Sequence, residues 1–365
     1  MDTEKETREA VALLSQLIAT PRISRDETAA ADIMERWMEG QGMHPVRLGN
    51  NLLLVADGFD ASKETIILNA HIDTVRPSES WTRQPNTPTR EGDRLYGIGA
   101  NDCGGGLVSL LMTYRKFSMK PRFFNLIYIA SCEEEVSGAG GMKSVVPALK
   151  GILSRETGVS EEAIDFNRFT AIVGEPTQMQ PAVAEKGLMV VDMVAHGKSG
   201  HAARGEGVNA IYEALDDILW VRNYRFEKVS DFLGPTVMNL TVINGGTVHN
   251  VVPDECRMVI DVRSNEFYRN EELFNIIQSH VRSEVKARSF TLSSSRIPLD
   301  NPLVVRCREM GMQPFGSPTL SDQALMPWKS IKLGPGNSAR SHSADEYICI
   351  SEIQDALEKY ARLLS

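Results

Sequence analysis

Several segments of this 365-residue chain put acidic or histidine side chains where short apolar runs stop. TIILNAHIDTV carries His71 and Asp73, NLIYIASCEEE carries Glu133, Glu134 and Glu135, and TAIVGEP carries Glu175. Asp102 follows in GIGANDCGGG, and His342 lies in SARSHSADEY. Two divalent cations about 3.5–4 Å apart need one bridging carboxylate, with imidazoles or carboxylates completing each shell. Two histidines and several carboxylates at the open edge of a sheet meet that need, so the residues point to two-metal hydrolysis. On a turn leaving a strand, Asp73 can accept the second N–H of His71 and fix its tautomer. Each piece also has a plainer reading. H-x-D alone fits a surface histidine, and Asp102 beside Gly99 and Gly104 fits an ordinary turn. The acidic triplet fits a solvated loop, although three adjacent carboxylates at a buried strand end repel one another unless cations neutralise them.

Such residues need elements to hold them. Apolar spacing predicts helices over Thr7–Leu17 and Thr28–Met38. NLLLVAD, TIILNAH, NLIYIAS, TAIVGE and KSIKLGP read as buried strands, with a helix in GGGLVSLLMTYRKF. Strands alternating with helices predict a mixed, largely parallel α/β sheet covered by helices, which binds ligands beyond the carboxyl ends of its strands. From about Gly187 to Phe290 the pattern becomes β-α-β-β-α. Its strands are LMVVDMVAH, TVMNLTVINGG and CRMVIDVRS, and its helices GVNAIYEALDDILWV and NEELFNIIQSHVRSEV. With a final strand at RSFTLSS, this predicts a ferredoxin-like α+β domain at 185–293 inserted into a catalytic domain made of 1–184 and 294–365. ISEIQDALEKYARLL closes the chain as a helix.

Composition removes other classes. A net charge of -9 leaves no basic stripe for nucleic acid. The five cysteines are scattered without a C-x-x-C pair, which fits a reducing compartment. The acidic, amphipathic start does not read as a signal peptide, and no apolar run approaches the ~18–20 residues that span a bilayer. The expectation is a cytoplasmic protein without membrane partners.

Together the segments resemble the dizinc aminoacylase/carboxypeptidase/deacetylase family, and within it the acetylornithine deacetylases and succinyl-diaminopimelate desuccinylases. HIDTV, GIGANDCGGG, the EEE turn, IVGEPT, EKG, GKSGHAA, NGGTVHNVVPDE and HSADEY follow the family's order across nearly the whole chain. The resemblance implies two zinc ions per subunit, with cobalt or manganese as substitutes. His71 and Glu175 would hold one ion, Glu135 and His342 the other, and Asp102 would bridge them. Asp73 joins the catalytic set beside His71, and Glu134 is the general base. A slip of one residue would make Glu133 the base and Glu134 the ligand. Where the family continues after its bridging Asp with Met, Lys and two glycines, this chain has Cys103, Gly104, Gly105 and Gly106. A cis peptide is expected at Asp102–Cys103, and packing is the expected role of Cys103 and Cys132.

GKSGH is neither a phosphate loop nor a nucleophile elbow: Asp192 stands where the first needs glycine, and Gly200 comes one place early for the second. The resemblance instead makes His201 a donor to the oxyanion of the scissile carbonyl, a contribution worth ~3–4 kcal/mol of barrier. Arg263, Asn250, Gly336 and Asn337 match positions that bind the amino acid's α-carboxylate, though each also suits a structural role. The implied enzyme is a metal-dependent amidohydrolase that removes the Nα-acyl group of a small-molecule amino-acid substrate. N-acetylornithine cleavage to ornithine and acetate in arginine synthesis is the leading form. A desuccinylase, dipeptidase or carboxypeptidase uses the same chemistry, and a metal-free binding module is the alternative of another class. A homodimer through the inserted domain is implied as well.

Overall fold

The structure, a computed structural model, describes residues 3–120 and 122–365. The chain forms two compact units. One is Met1–Val183 with Ile297–Phe315 and Ser321–Ser365; the other is Ala184–Arg296 with Gly316–Leu320.

Strands of the first unit lie in the order Val46–Leu48, Asn51–Val55, Asn125–Ser131, Thr65–His71, Phe169–Val173, Lys329–Lys332. Those from Asn125–Ser131 onward run parallel, and Asn51–Val55 is antiparallel to both of its neighbours. Both faces are covered, which is why Asn125–Ser131 is buried throughout and reads as a continuous apolar run. On one face the helix Gly105–Ser118 packs with Thr3–Ile18 and Ile350–Leu364. A Cβ on Gly106 would stand 1.8 Å from the Gly174 carbonyl oxygen, so only glycine lets this helix approach the strand end that precedes Glu175. On the other face Met142–Thr157 lies over Ile67, Ile127, Ile129, Ala171 and Val173, with Trp328 beside them. No expectation covered this helix. Pro147 within it disguises a pattern whose Val145, Leu149, Ile152 and Leu153 are all buried.

The register matters most at the top of the sheet. His71 pairs with Ser131, and Asn69 with both Ile129 and Val173. Three neighbouring strands therefore end at one level, and each passes directly into a segment that carries candidate ligands.

The second unit is antiparallel, in the order Val237–Gly245, Glu255–Arg263, Met189–His196, Glu284–Ala287. Helices Ala210–Asn223 and Asn270–His280 pack on the face formed by Met189, Val191, Met193 and Ala195. This is the expected ferredoxin-like arrangement with one correction. The last strand is Glu284–Ala287, before RSFTLSS, and the preceding helix stops at His280. Asp217 forces the break: its carboxylate accepts the Arg282 and Ser283 amides at 3.0 and 2.8 Å and the Ser283 hydroxyl at 2.5 Å. These bonds draw 282–283 out of helical geometry.

Candidate metal centre

The centre begins at His71, the last residue of its strand and almost wholly buried. Its Nδ1 lies 2.9 Å from the main-chain oxygen of Asp73 and 3.6 Å from the Asp73 carboxylate. The tautomer is thus set by the backbone carbonyl rather than by the side chain expected from H-x-D. The Asp73 carboxylate is turned to other donors: it accepts the Glu134 and Glu135 amides at 3.0 and 3.2 Å and the Ser24 hydroxyl at 2.6 Å. Asp73 ties the acidic turn to the His71 strand.

With Nδ1 engaged as donor, Nε2 of His71 offers its lone pair to the pocket. It stands 3.3 Å from Asp102 Oδ1 and 3.7 Å from Glu175 Oε1. The other Asp102 oxygen is 3.5 Å from Nε2 of His342, which is 2.9 Å from Glu135 Oε2. One carboxylate thus presents its two oxygens to two histidines, each with a further glutamate beside it. Donor atoms of His71, Asp102 and Glu135 lie within 4.8 Å of one another, as do those of His71, Cys103 and Glu175. The residues suit zinc, cobalt or manganese: imidazole and carboxylate donors, two sets of them, and a carboxylate between. Cys103 belongs to the second group although it is fully buried and its Sγ accepts the His71 amide at 3.3 Å. The Asp102–Cys103 peptide is cis.

The order within the acidic triplet follows from backbone conformation. Glu133 has φ +54° and its side chain lies against Gly138 and Gly140. Its carboxylate accepts the Gly140 amide at 3.3 Å and faces Arg25 at 4.0 Å, while its own amide donates to buried Glu27 at 3.2 Å. Glu134 and Glu135 are left to the pocket that holds His71 and Glu175.

Residues 183–289 match the family described as Peptidase dimerisation domain, and residues 51–152 match Peptidase family M28. Two acetylornithine deacetylases are full-length relatives. That of Proteus mirabilis is 27% identical, covering 97% of this chain and 95% of its own. That of Pectobacterium carotovorum is 27% identical over 97% and 96%. Over its full length this chain is similar to these deacetylases, and two of its segments match metallopeptidase family models. Its fold is shared with aminopeptidase PepT of Bacillus cereus, with a TM-score of 0.76 at 17% identity over 100% of this chain and 98% of that one. It is shared too with Bacillus subtilis YXEP, described as a dinuclear metal binding peptidase from the M20 family, with a TM-score of 0.70 at 17% identity over 99% and 98%. The chain has no helix among its described residues that is long and apolar enough to cross a membrane.

Electrostatics explain why this pocket needs counter-charge. Burial, reinforced by Asp102, pushes Glu175 up to about 8. Burial, with Glu175, Asp322 and Glu135 adding to it and His71 opposing, holds Glu134 well above the usual carboxylate range. On the open side, the hydrogen bond to Glu135 lifts His342 to about 9. Carboxylates packed this way keep protons until cations replace them.

Three buried anchors escape the sequence reading. Glu346 accepts the amides of Gly99, Asn101 and Asp102, each at 2.8 Å, and so fixes the loop that presents Asp102. Arg22 donates to the carbonyls of Ile72 at 2.6 Å and Gly99 at 2.9 Å. Asp322 accepts the Ser131 hydroxyl at 2.6 Å. Only Glu346 had a cue, its place four residues after His342.

The residues expected to bind substrate are divided between the two units. Asn337 is committed within the first unit: its amide donates to Asn101 Oδ1 at 2.9 Å and its carboxamide caps Ala339 at 2.9 Å. Gly336, at φ +88°, is pressed against Asn101, where a Cβ would meet Oδ1 at 2.3 Å. In the second unit the Arg263 fork is held by Asp261 at 2.8 and 3.0 Å. His201 and Asn250 meet across a short ladder that pairs His201 with Val251, and the Ala202 amide donates to the Asn250 carbonyl at 3.1 Å.

Proposed function

We propose that this chain is a dizinc amidohydrolase that removes the Nα-acyl group of an amino acid. N-acetylornithine, yielding ornithine and acetate in arginine synthesis, is the substrate we favour. The observation that carries the chemistry is Asp102, whose two oxygens face His71 at 3.3 Å and His342 at 3.5 Å. His71 and Glu175 would hold one zinc, Glu135 and His342 the other. The ions, when bound, polarise the acyl carbonyl and acidify water.

The chain's own groups do the rest. Glu134 takes the proton of the attacking water and delivers it to the departing amine, a role that suits a buried carboxylate poised above its ordinary range. Asp73 holds the Glu134 and Glu135 amides, keeping base and ligand in register. His201 is the proposed oxyanion donor. Its Nδ1 accepts the Ala203 amide at 3.2 Å, which leaves the proton on Nε2. Arg263 and Asn250, with the Gly336–Asn337 turn, are proposed for the substrate carboxylate. Arg263 must then exchange Asp261 for it.

The acyl group and side chain rest on the names of full-length relatives at 27% identity. A dipeptidase reading draws support from the aminopeptidase fold shared at a TM-score of 0.76. A homodimer through the inserted unit is favoured by its match to a peptidase dimerisation domain, by the edge strand Val237–Gly245, and by exposed Tyr212, Leu215, Leu219 and Ile243. Purified protein assayed on acetylornithine, succinylornithine, succinyl-diaminopimelate and dipeptides, with and without chelator, separates these readings. Chelator-sensitive preference for acetylornithine is expected; a dipeptide preference would replace the substrate, and equal chelator-resistant rates would end the metal mechanism.

A further inference from the structure

Side chains of one sheet face run upward through Ile67, Asn69 and His71 on one strand and Ile127, Ile129 and Ser131 on its neighbour. The lower residues belong to the apolar layer under the helix Met142–Thr157. At the top that layer gives way to Asn69 and Ser131, both fully buried. A carboxylate then closes it. Asp322, 3% exposed, arrives on the segment that leads into Met326 and Trp328 of the same layer.

A carboxylate has no place in such a layer unless it is hydrogen-bonded, because desolvation of the unpaired charge costs several kcal/mol. Asp322 Oδ2 accepts the Ser131 hydroxyl at 2.6 Å. Asn69 Nδ2 in turn donates to Ser131 Oγ at 3.1 Å and to the Ile129 carbonyl at 3.2 Å. Ser131 is the His71 partner in the strand ladder, and its carbonyl accepts the Ile72 amide at 2.7 Å. It also stands two residues before Glu133, where the acidic turn opens. One carboxylate from a distant segment therefore holds the Ser131 strand end, which Asn69 ties to the strand that ends at His71.

We propose that Asp322 is a positioning residue for the metal centre: through Ser131 and Asn69 it locks the His71 strand end to the strand end carrying Glu134 and Glu135. It touches neither metal donor atoms nor substrate, so its action is on geometry. This rests on reading the pocket as a metal centre and is independent of the substrate. Outer partners of this kind change metal affinity or activity by about 10–100-fold when removed.

The test is zinc affinity, measured by competition with a chelating dye and without substrate. Wild-type protein is measured first, because a failure to bind zinc there overturns the metal-centre reading itself. Given wild-type binding, Asp322→Ala should weaken zinc by about 10–100-fold. Asp322→Asn keeps an acceptor for the Ser131 hydroxyl and should restore most of the loss. Ser131→Ala, which removes the same bond from the other side and decides the matter if Asp322→Ala does not fold, should weaken zinc in the same direction. Unchanged zinc affinity in Ser131→Ala, or equal loss in Asp322→Asn and Asp322→Ala, would show that Asp322 only stabilises the fold.

Discussion

The two halves of the metal centre are built differently. The His71 side chain is 1% exposed and Glu175 14%, whereas His342 is 54% exposed although its partner Glu135 is at 7%. His71 ends a sheet strand and is held through Nδ1 by a backbone carbonyl. His342 sits in a loop at φ +56°, and its ring faces two carboxylates of the pocket, Glu135 and Asp102. A ligand whose ring is fixed before the metal arrives loses little entropy on binding, whereas one on an open loop must be ordered by the ion. The buried half should therefore bind its ion tightly and exchange it slowly. The open half should exchange readily. Asp102 belongs to both, so the halves are unequal but coupled.

The largest expected effect leaves the comparison intact and tests what lies between the halves. Glu134→Ala should cost turnover on the order of 10²–10⁴-fold, while metal content measured by atomic absorption stays at the wild-type value. A variant that loses metal instead would make Glu134 a ligand and move the base to Glu133.

A smaller effect separates the halves directly. His71→Ala should lower affinity for both ions, because Asp102 loses its buried partner. His342→Ala should keep one tight ion and lose the weak one. On wild-type protein, a chelator should remove metal in two phases, and the fast phase should be absent in His342→Ala. A single phase that carries both equivalents would contradict the asymmetry.

The same contrast governs what the sequence made legible. Candidate metal donors on strand ends are legible because an apolar run that stops at His71, or at the acidic triplet, is a local pattern. His342 was reached through the family's motif order, since nothing in SARSHSADEY marks a strand. The order of Glu133, Glu134 and Glu135 was not legible: it depends on the positive φ of Glu133 and on Glu27, more than a hundred residues earlier. Glu346, Arg22 and Asp322 were missed for a related reason. Their partners are mostly main-chain groups and hydroxyls of remote segments, and a lone buried charge leaves no periodicity behind. The helix ending at His280 was overextended because apolar spacing continues through Val281 and Val285. Asp217, on another helix, supplies the bonds that end it.

The smallest effect concerns acid and base behaviour after both ions are stripped. Glu175, pushed to about 8 by burial and Asp102, and Glu346, pushed to about 7 by burial and Asp102, would then hold protons that the unfolded chain gives up near its ordinary value of 4.5. Folded pKa values above unfolded ones mean that the stabilising contribution is complete below about 4.5 and is lost as pH rises through about 7 and 8. His342, raised to about 9 by its bond to Glu135, acts in the same sense from 6.5 upward. Melting temperatures of the stripped protein should therefore fall between pH 5 and pH 8.5, each fully linked group removing up to about 1.4 kcal/mol of stability per pH unit. With zinc bound, the same carboxylates face cations instead of one another, their proton affinity drops, and the decline should vanish over that interval. Stripped protein that grows more stable with rising pH would mean that the buried half does not carry the uncompensated charge on which its tighter grip depends.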